Sequence, residues 1–399
     1  MKRTLGLMLL VLLFGSMKNA VPKSDVQRWE RPGKDTLAGH IAGAEQRLNQ
    51  EGKRKVVIGY VGGFRGLVNT DKISPEKLTH INYAFVDVQG NRAFLTNEKT
   101  DTVNFRKLLL LKKKNPALKI LISIGGWAWS KNFSDAMLTD TSRADFAISA
   151  VDIIRKYKLD GVDIDWEYPG RPGEVGNVYR PEDGRNFTLM FEALRKELNI
   201  LEKETAQKKL LTTAVGGFSD FLLHTEMDKA AQYLDYVNLM TYDYYSGKIA
   251  GHHTNLYASK LYPSANSADV AIKAYVAAGV PVSKLVMGIA FYGRNSKVEE
   301  GTTTGLGANY IKGEFGSGYT QIKDSLVNRK GFKEFKDEAA KASYLYNANT
   351  QILITYDDEW SVREKCKYVK DQNMAGVMFW EYASDPKEYL LNEVLKSFK

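Results

Sequence analysis

The chain has 399 residues, is 44% hydrophobic and 26% charged, and carries a formal net charge of +9. That is ordinary for a soluble globular protein with a sizeable core. No basic run is interleaved with aromatics, which argues against nucleic-acid binding, and a single cysteine, Cys366, excludes an intramolecular disulfide and a lipid-anchoring cysteine near the N-terminus.

The first twenty residues, MKRTLGLMLLVLLFGSMKNA, start basic and run through an apolar stretch from Leu5 to Phe14, too short to cross a bilayer as a helix. The pattern predicts a secretory signal peptide over 1–20, cleaved after Ala20, although Lys18 fits the small-residue rule poorly. An uncleaved anchor is the alternative. The expected location is secreted or periplasmic. Residues 21–54 are polar and basic and read as a linker or lead-in.

From Lys55 onward, short β-branched or aromatic runs alternate with amphipathic stretches. The predicted strands are KVVIGY (55–60), THINYAFV (79–86), LKILIS (118–123), LDGVDIDW (159–166), LLTTAV (210–215), LDYVNLMT (234–241), KLVMGIA (284–290) and MAGVMFW (374–380). Between them, Ser142 with Asp145 reads as the cap of a helix whose face is Phe146, Ala150 and Ile153. Phe187, Met190, Phe191, Leu194 and Leu198 form a second stripe, and Ser361 with Glu364 reads as a capping box before the last strand. Eight such repeats predict an α/β fold, a (β/α)8 TIM barrel over 55–399. Residues 295–352 do not reduce to one crossover helix. Their Gly-rich turns and the strand-like ASYLYN predict a small α+β insertion between strands seven and eight, on the barrel face that carries active sites.

The stretch LDGVDIDWEYPG (159–170) places Asp160, Asp163, Asp165 and Glu167 among strand-forming apolar residues. Alternate side chains of a strand share a face, so 163, 165 and 167 point into the lumen while Val162, Ile164 and Trp166 pack under the helices. Carboxylates so close and partly desolvated cannot all ionise, so at least one pKa must rise. Glu167, nearest the C-terminal end, is then the candidate general acid. A calcium loop is disfavoured because Tyr168 stands where such loops need glycine. On the residues alone, a magnesium or manganese site and a purely structural network stay open. His252 and His253 lack a third ligand at useful spacing and read as surface or substrate-proximal residues; no metal is assigned.

The run Asp160-Gly161-Val162-Asp163-Ile164-Asp165-Trp166-Glu167 resembles the D-G-x-D-x-D-x-E signature of the family-eighteen chitinases. SIGGW (123–127), MTYDY (240–244), FYGR (291–294) and GVMFWE (376–381) resemble further motifs of that family, in the expected order. The resemblance implies a chitinase that hydrolyses β-1,4-linked N-acetylglucosamine with retention, the 2-acetamido group of the sugar serving as nucleophile. It implies that Glu167 is the acid, that Asp165 orients the acetamido group, that Asp163 shares a proton with Asp165, and that Tyr242 binds the acetamido carbonyl. Trp380 would floor the subsite of the distorted sugar. Tyr60, Phe85, Gly126, Trp127, Met240, Asp243, Tyr292 and Arg294 would line the sugar subsites. Trp129 is either a groove platform or a surface ring, and Trp360 has no assigned role. Departures from the pattern are Ala290, where relatives often carry Pro, and the Gly-rich AVGGF after strand five. No cofactor is expected; the partners are chitin or its oligosaccharides, and a monomer with no membrane span after signal removal is expected. The alternatives are an endo-β-N-acetylglucosaminidase on glycan or peptidoglycan chains and a non-catalytic chitin-binding lectin. A metal-dependent lyase, a further rival, would lose activity in chelator.

Overall fold

A computed structural model describes residues 55–399, apart from Tyr245, Ser246 and Ser264. The expected signal peptide (1–20) and lead-in (21–54) lie outside the described residues. The eight predicted runs form parallel strands β1 (Val56–Gly62), β2 (His80–Gln89), β4 (Lys119–Gly125), β5 (Gly161–Asp165), β6 (Leu210–Gly216), β7 (Tyr236–Met240), β8 (Leu285–Ala290) and β14 (Gly376–Trp380). The sheet closes because β1 pairs in parallel with both β14 and β2. A short strand β3 (Arg92–Phe94) folds back on the end of β2 as a hairpin.

Helices α1 (Glu98–Leu111), α2 (Asp140–Tyr157), α3 (Asp183–Thr205), α4 (Ala268–Ala277), α5 (Glu359–Asp371) and α6 (Tyr389–Phe398) follow six of the strands. The core between strands and helices is apolar, and Val162, Ile164 and Trp166 lie in it as alternation requires. The α3 stripe of Phe187, Met190, Phe191, Leu194 and Leu198 is fully buried against the same core.

Two caps differ from expectation. Helix α2 starts a turn earlier, with Thr139 as N-cap and Ser142 at the third helical position, each side chain bonding the other's backbone N–H. At α5 the N-cap is Asp358 and Ser361 occupies the third position in the same reciprocal arrangement. In both places a serine does the work usually done by Glu or Gln in such a box.

Between β8 and β14 the chain forms an antiparallel sheet in the order β10 (Tyr310–Gly318), β9 (Tyr292–Val298), β13 (Ile352–Tyr356), β12 (Ala342–Asn347) and β11 (Lys333–Asp337). A short helix, Tyr319–Ser325, follows β10. Strand β9 starts two residues after β8 ends, so this sheet rises directly from the C-terminal rim of the barrel. His252 and His253 are buried rather than at the surface. The sheet accounts for this: His252 packs on Tyr344 of β12 and meets Asp337 of β11 at 3.3 Å. Among the described residues no helix is long and apolar enough to cross a membrane.

Candidate active site

The C-terminal ends of the barrel strands open into a cavity of about 680 Å³. Asp165 lines it from the end of β5 and Glu167 from two residues beyond, with Met240 from the end of β7, Tyr242 just after it and Trp380 from the end of β14. Tyr60, Phe85, Trp127, Asp243, Tyr292 and Arg294, which the resemblance places at sugar subsites, also line it. Trp129 belongs to the wall too. Gly126 is not a lining residue; its neighbour Gly125 is. The pair is required for close approach: a Cβ on Gly125 would sit 2.2 Å from the Asp165 carbonyl oxygen, and one on Gly126 would sit 2.6 Å from the Phe85 ring. Phe64, Ala128, Tyr168, Ala214 and Phe315 line the cavity without having been foreseen. Phe315 comes from β10 and Phe64 from the loop after β1, where neither periodicity nor a motif marks them.

The backbone that carries Glu167 is pinned. Its N–H donates to Ser130 Oγ at 2.8 Å, and its carbonyl accepts from Asn177 Nδ2 at 3.1 Å. The Gly126 N–H donates to the Asp165 carbonyl at 2.7 Å, tying β5 to the end of β4. The aromatic floor is packed likewise: the Phe85 and Trp380 rings lie 5.4 Å apart and nearly parallel.

Asp163 lies beneath the cavity rather than on its wall. Oδ2 accepts from Tyr60 at 2.9 Å and Ser123 at 2.8 Å, and Oδ1 from Thr212 at 2.5 Å and Asn238 at 3.2 Å. None of these donors is Asp165, so the proton shared between Asp163 and Asp165 that the resemblance implies does not occur as a direct bond here. Asp165 Oδ1 is instead buried without a partner. Asp160 belongs elsewhere: it pairs with Lys112 at 2.6 Å and accepts the Ile120 N–H, fixing the start of β5.

The electrostatics follow from burial. Burial pushes the Asp163 carboxyl up to about 6 against the pull of its hydrogen bonds. Asp165 is raised further, by burial first and then by the neighbouring charges of Glu167 and Asp163. Burial, helped by Asp243, pushes Glu167 up to about 7, against a hydrogen bond from Tyr168. Asp243 goes the other way. Burial pushes it up, but His253 and a bidentate Arg294, at 2.7 and 2.6 Å, outweigh that and hold it well below the usual carboxylate range. One carboxyl is thus kept protonated near neutrality while another on the same wall stays charged. Among the described residues no three His, Cys, Asp or Glu side chains are grouped to hold a metal.

The sequence model of glycosyl hydrolases family 18 matches residues 56–385, spanning all eight barrel strands and the sheet between β8 and β14. The chain belongs to that family. Family 18 membership makes it a glycoside hydrolase by descent, and its curated relatives carry informative names. It is 36% identical to Chitinase A1 of Niallia circulans over 82% of this chain and 55% of that protein. To Chitinase 1 of Aphanocladium album it is 32% identical, over 78% of this chain and 76% of that one. The chain therefore spans little more than half of the Niallia protein. Among solved structures, a family 18 N-acetylglucosaminidase from Paenibacillus barengoltzii superposes with a TM-score of 0.80 at 39% identity, covering 86% of this chain and 100% of that one.

Proposed function

We propose that the protein is a chitinase, cleaving β-1,4-linked N-acetylglucosamine chains with retention through the substrate's own 2-acetamido group. The observation that carries this reading is the set of carboxylates on the cavity wall. Among the described residues lining the cavity they are Asp165, Glu167 and Asp243. Glu167 is held protonated, and Asp243 is committed to Arg294. Asp165 comes from the same strand face as the acid, two residues away, and not from the opposite wall where a carboxylate nucleophile would stand. The missing nucleophile is supplied by the sugar.

In this reading Glu167 protonates the glycosidic oxygen. The acetamido oxygen attacks the anomeric carbon as that bond breaks, giving an oxazolinium ion and the free leaving alcohol. Asp165, with its unpartnered oxygen, accepts the acetamido N–H and faces the positive charge. Tyr242, whose hydroxyl lies 3.7 Å from the Met378 sulfur as its one partner among the described residues, donates to the acetamido carbonyl. Glu167, now a carboxylate, takes a proton from the water that opens the ring, and the enzyme is restored. The aromatic walls stack on sugar faces. Export from the cell, action as a monomer and a chitin polymer as partner belong to the same proposal. The Niallia and Aphanocladium relatives support the chitin substrate by their names, and the Paenibacillus neighbour, an N-acetylglucosaminidase, supports the second reading, an endo-β-N-acetylglucosaminidase on glycan or peptidoglycan chains.

Product lengths over time on chitin oligomers, compared with release of glycan from N-linked glycoprotein, separate these readings. Fully deacetylated oligomers of the same length should be cleaved at less than about a hundredth of the rate, because they lack the internal nucleophile. Equal cleavage of both substrates refutes the mechanism. The pH profile is a second check. Glu167 must hold its proton, so kcat/KM should fall as pH rises through about 7. A fall centred near the ordinary glutamic acid range would show that the acid is a different, unperturbed group.

A further inference from the structure

The run GGFRG (62–66) after β1 folds as a tight turn. The Gly66 N–H donates to the Gly63 carbonyl at 3.0 Å and the Gly63 N–H to the Ala84 carbonyl at 2.6 Å, while Asn104 Nδ2 donates to the Gly66 carbonyl at 3.0 Å. The two side chains at its tip part company. Phe64 lines the active-site cavity, whereas Arg65 lines a separate hollow of about 470 Å³. The Phe64 ring is nearly parallel to that of Trp380, with centroids 6.2 Å apart, so it continues the aromatic floor. The Arg65 guanidinium lies over the Phe64 ring at 5.1 Å and pairs with Glu381, the residue that follows Trp380. Glu381 is 1% exposed. A buried carboxylate thus pins the tip of the turn to the end of β14.

The hollow shares walls with the active site, because Tyr292 and Phe315 line both. Its side of the cleft follows from the acid. Glu167 gives its proton to the leaving chain, and beside it stand Tyr168 and, 6.3 Å from that ring, Trp127. The leaving chain therefore lies on their side. The retained chain runs the other way, past Trp380 to Phe64, and the next unit enters the hollow. There the carboxylate on the wall, Asp324, is committed to Lys387 at 2.6 Å and to the Tyr389 hydroxyl at 3.1 Å. Arg65 is not so occupied. Among the described residues its one ion pair is with Glu381, and its side chain is 59% exposed. A guanidinium carries several N–H donors in a rigid fork, so pairing with one carboxylate leaves donors to spare.

We propose that this hollow binds a further N-acetylglucosamine unit of the retained chain, and that Arg65, held in place by Glu381, is a specificity-determining residue that donates to the acetamido carbonyl of that unit. A glucosamine in the same place brings an ammonium instead of a carbonyl. An ammonium has donors alone, and it meets the donors of Arg65. Asp324 offers it no rescue, being already paired. The enzyme thus tests for an N-acetyl group at a position where the chemistry does not need one, since the internal nucleophile belongs to the unit on Trp380. Because the guanidinium is fixed before the sugar arrives, little ordering is left to oppose binding. This deepens the chitinase reading and rests on it.

Fluorogenic β-glycosides of the N-acetylglucosamine dimer and trimer are the probes. Their aglycone takes the leaving side, so the distal unit of the trimer is the one that reaches the hollow. Removing Arg65 alone leaves the Glu381 charge buried without a partner, and the variant is therefore Arg65→Leu with Glu381→Gln. Its ratio of trimer to dimer kcat/KM should fall by about tenfold, the worth of a hydrogen bond from a charged donor. The wild type should cleave a trimer whose distal unit is glucosamine about tenfold more slowly than the fully acetylated trimer, and the double variant should treat the two alike. An unchanged ratio in the folded variant, or a wild type indifferent to the distal acetyl group, overturns the proposal. Should the double variant not fold, Arg65→Met is read the same way. If no reporter is cleaved, the chitinase reading fails, while calorimetric affinities of the wild type for the free trimer and its distally deacetylated counterpart decide this one by the same ratio.

Discussion

Replacing Glu167 with glutamine is expected to lower turnover of chitin oligomers by about a hundredfold or more, the usual worth of a positioned general acid, while oligosaccharide affinity stays within a few-fold. The amide keeps the shape of the side chain and its place on the cavity wall but has no proton to give to the leaving oxygen. A retained rate above about a tenth of wild type would remove Glu167 from the role of acid. Stability provides the control. Because burial raises Glu167 in the folded state, the wild type is favoured by its proton at low pH and loses that contribution as pH rises through about 7. The glutamine variant carries no such dependence. Its melting temperature should therefore match wild type near pH 4 and exceed it near pH 8. Lower stability at pH 8 would show that the activity loss includes a folding defect.

The second large effect is expected far from the sugar. Asp357 and Lys365 are both fully buried, with Lys365 Nζ 2.6 Å from Asp357 Oδ2. Asp357 also accepts from Thr254 at 2.9 Å, Ser361 at 2.7 Å and the Ala290 N–H at 3.2 Å. It thus joins the exit of β13, the last strand of the inserted sheet, and the start of α5 to the end of β8, the barrel strand from which that sheet departs. Removing one partner leaves the other charge buried alone, which costs about 3–5 kcal/mol. Asp357→Ala should therefore lower stability by that amount in denaturant titration, and Lys365→Met by a similar amount. The double variant Asp357→Leu with Lys365→Met should recover most of the loss, because a dry apolar pair replaces a dry ionic one. A cost below about 1 kcal/mol for Asp357→Ala would mean that water reaches the cluster.

Much of this was legible in the sequence because period-two alternation and β-branched runs report burial on two faces directly. Val162, Ile164 and Trp166 took the helix side and Asp165 and Glu167 the lumen side, as alternation demands. The helix starts were harder to read. In TDTS (139–142) and DDEWS (357–361) several residues can cap, and the usual Glu or Gln partner is replaced by serine, so the nearest box-like pair lay one turn too late. Long-range contacts left no local trace. Phe315 reaches the cavity only because β10 pairs with β9 on the rim, where Arg294 lies over its ring at 3.8 Å. His252 and His253 are polar and lie on a loop, and only the sheet that covers them makes them interior. That Asn82 and Asn238 lie beside Asp163 was invisible for the same reason: an asparagine in a strand reads as a propensity defect until the eight barrel strands are closed into a ring.

The apolar groups of the lumen form a small cluster of Val56, Ile58, Tyr60, Ala84, Ala214, Val286 and Met378, and a polar tier takes the middle of the staves. Cohesion therefore comes from the annulus between staves and helices, which holds most of the buried hydrophobic side chains. Heat tolerance and chemistry are assigned to separate shells of one cylinder. Engineering for durability has the outer shell to work in, and change of catalytic temperament has the inner one.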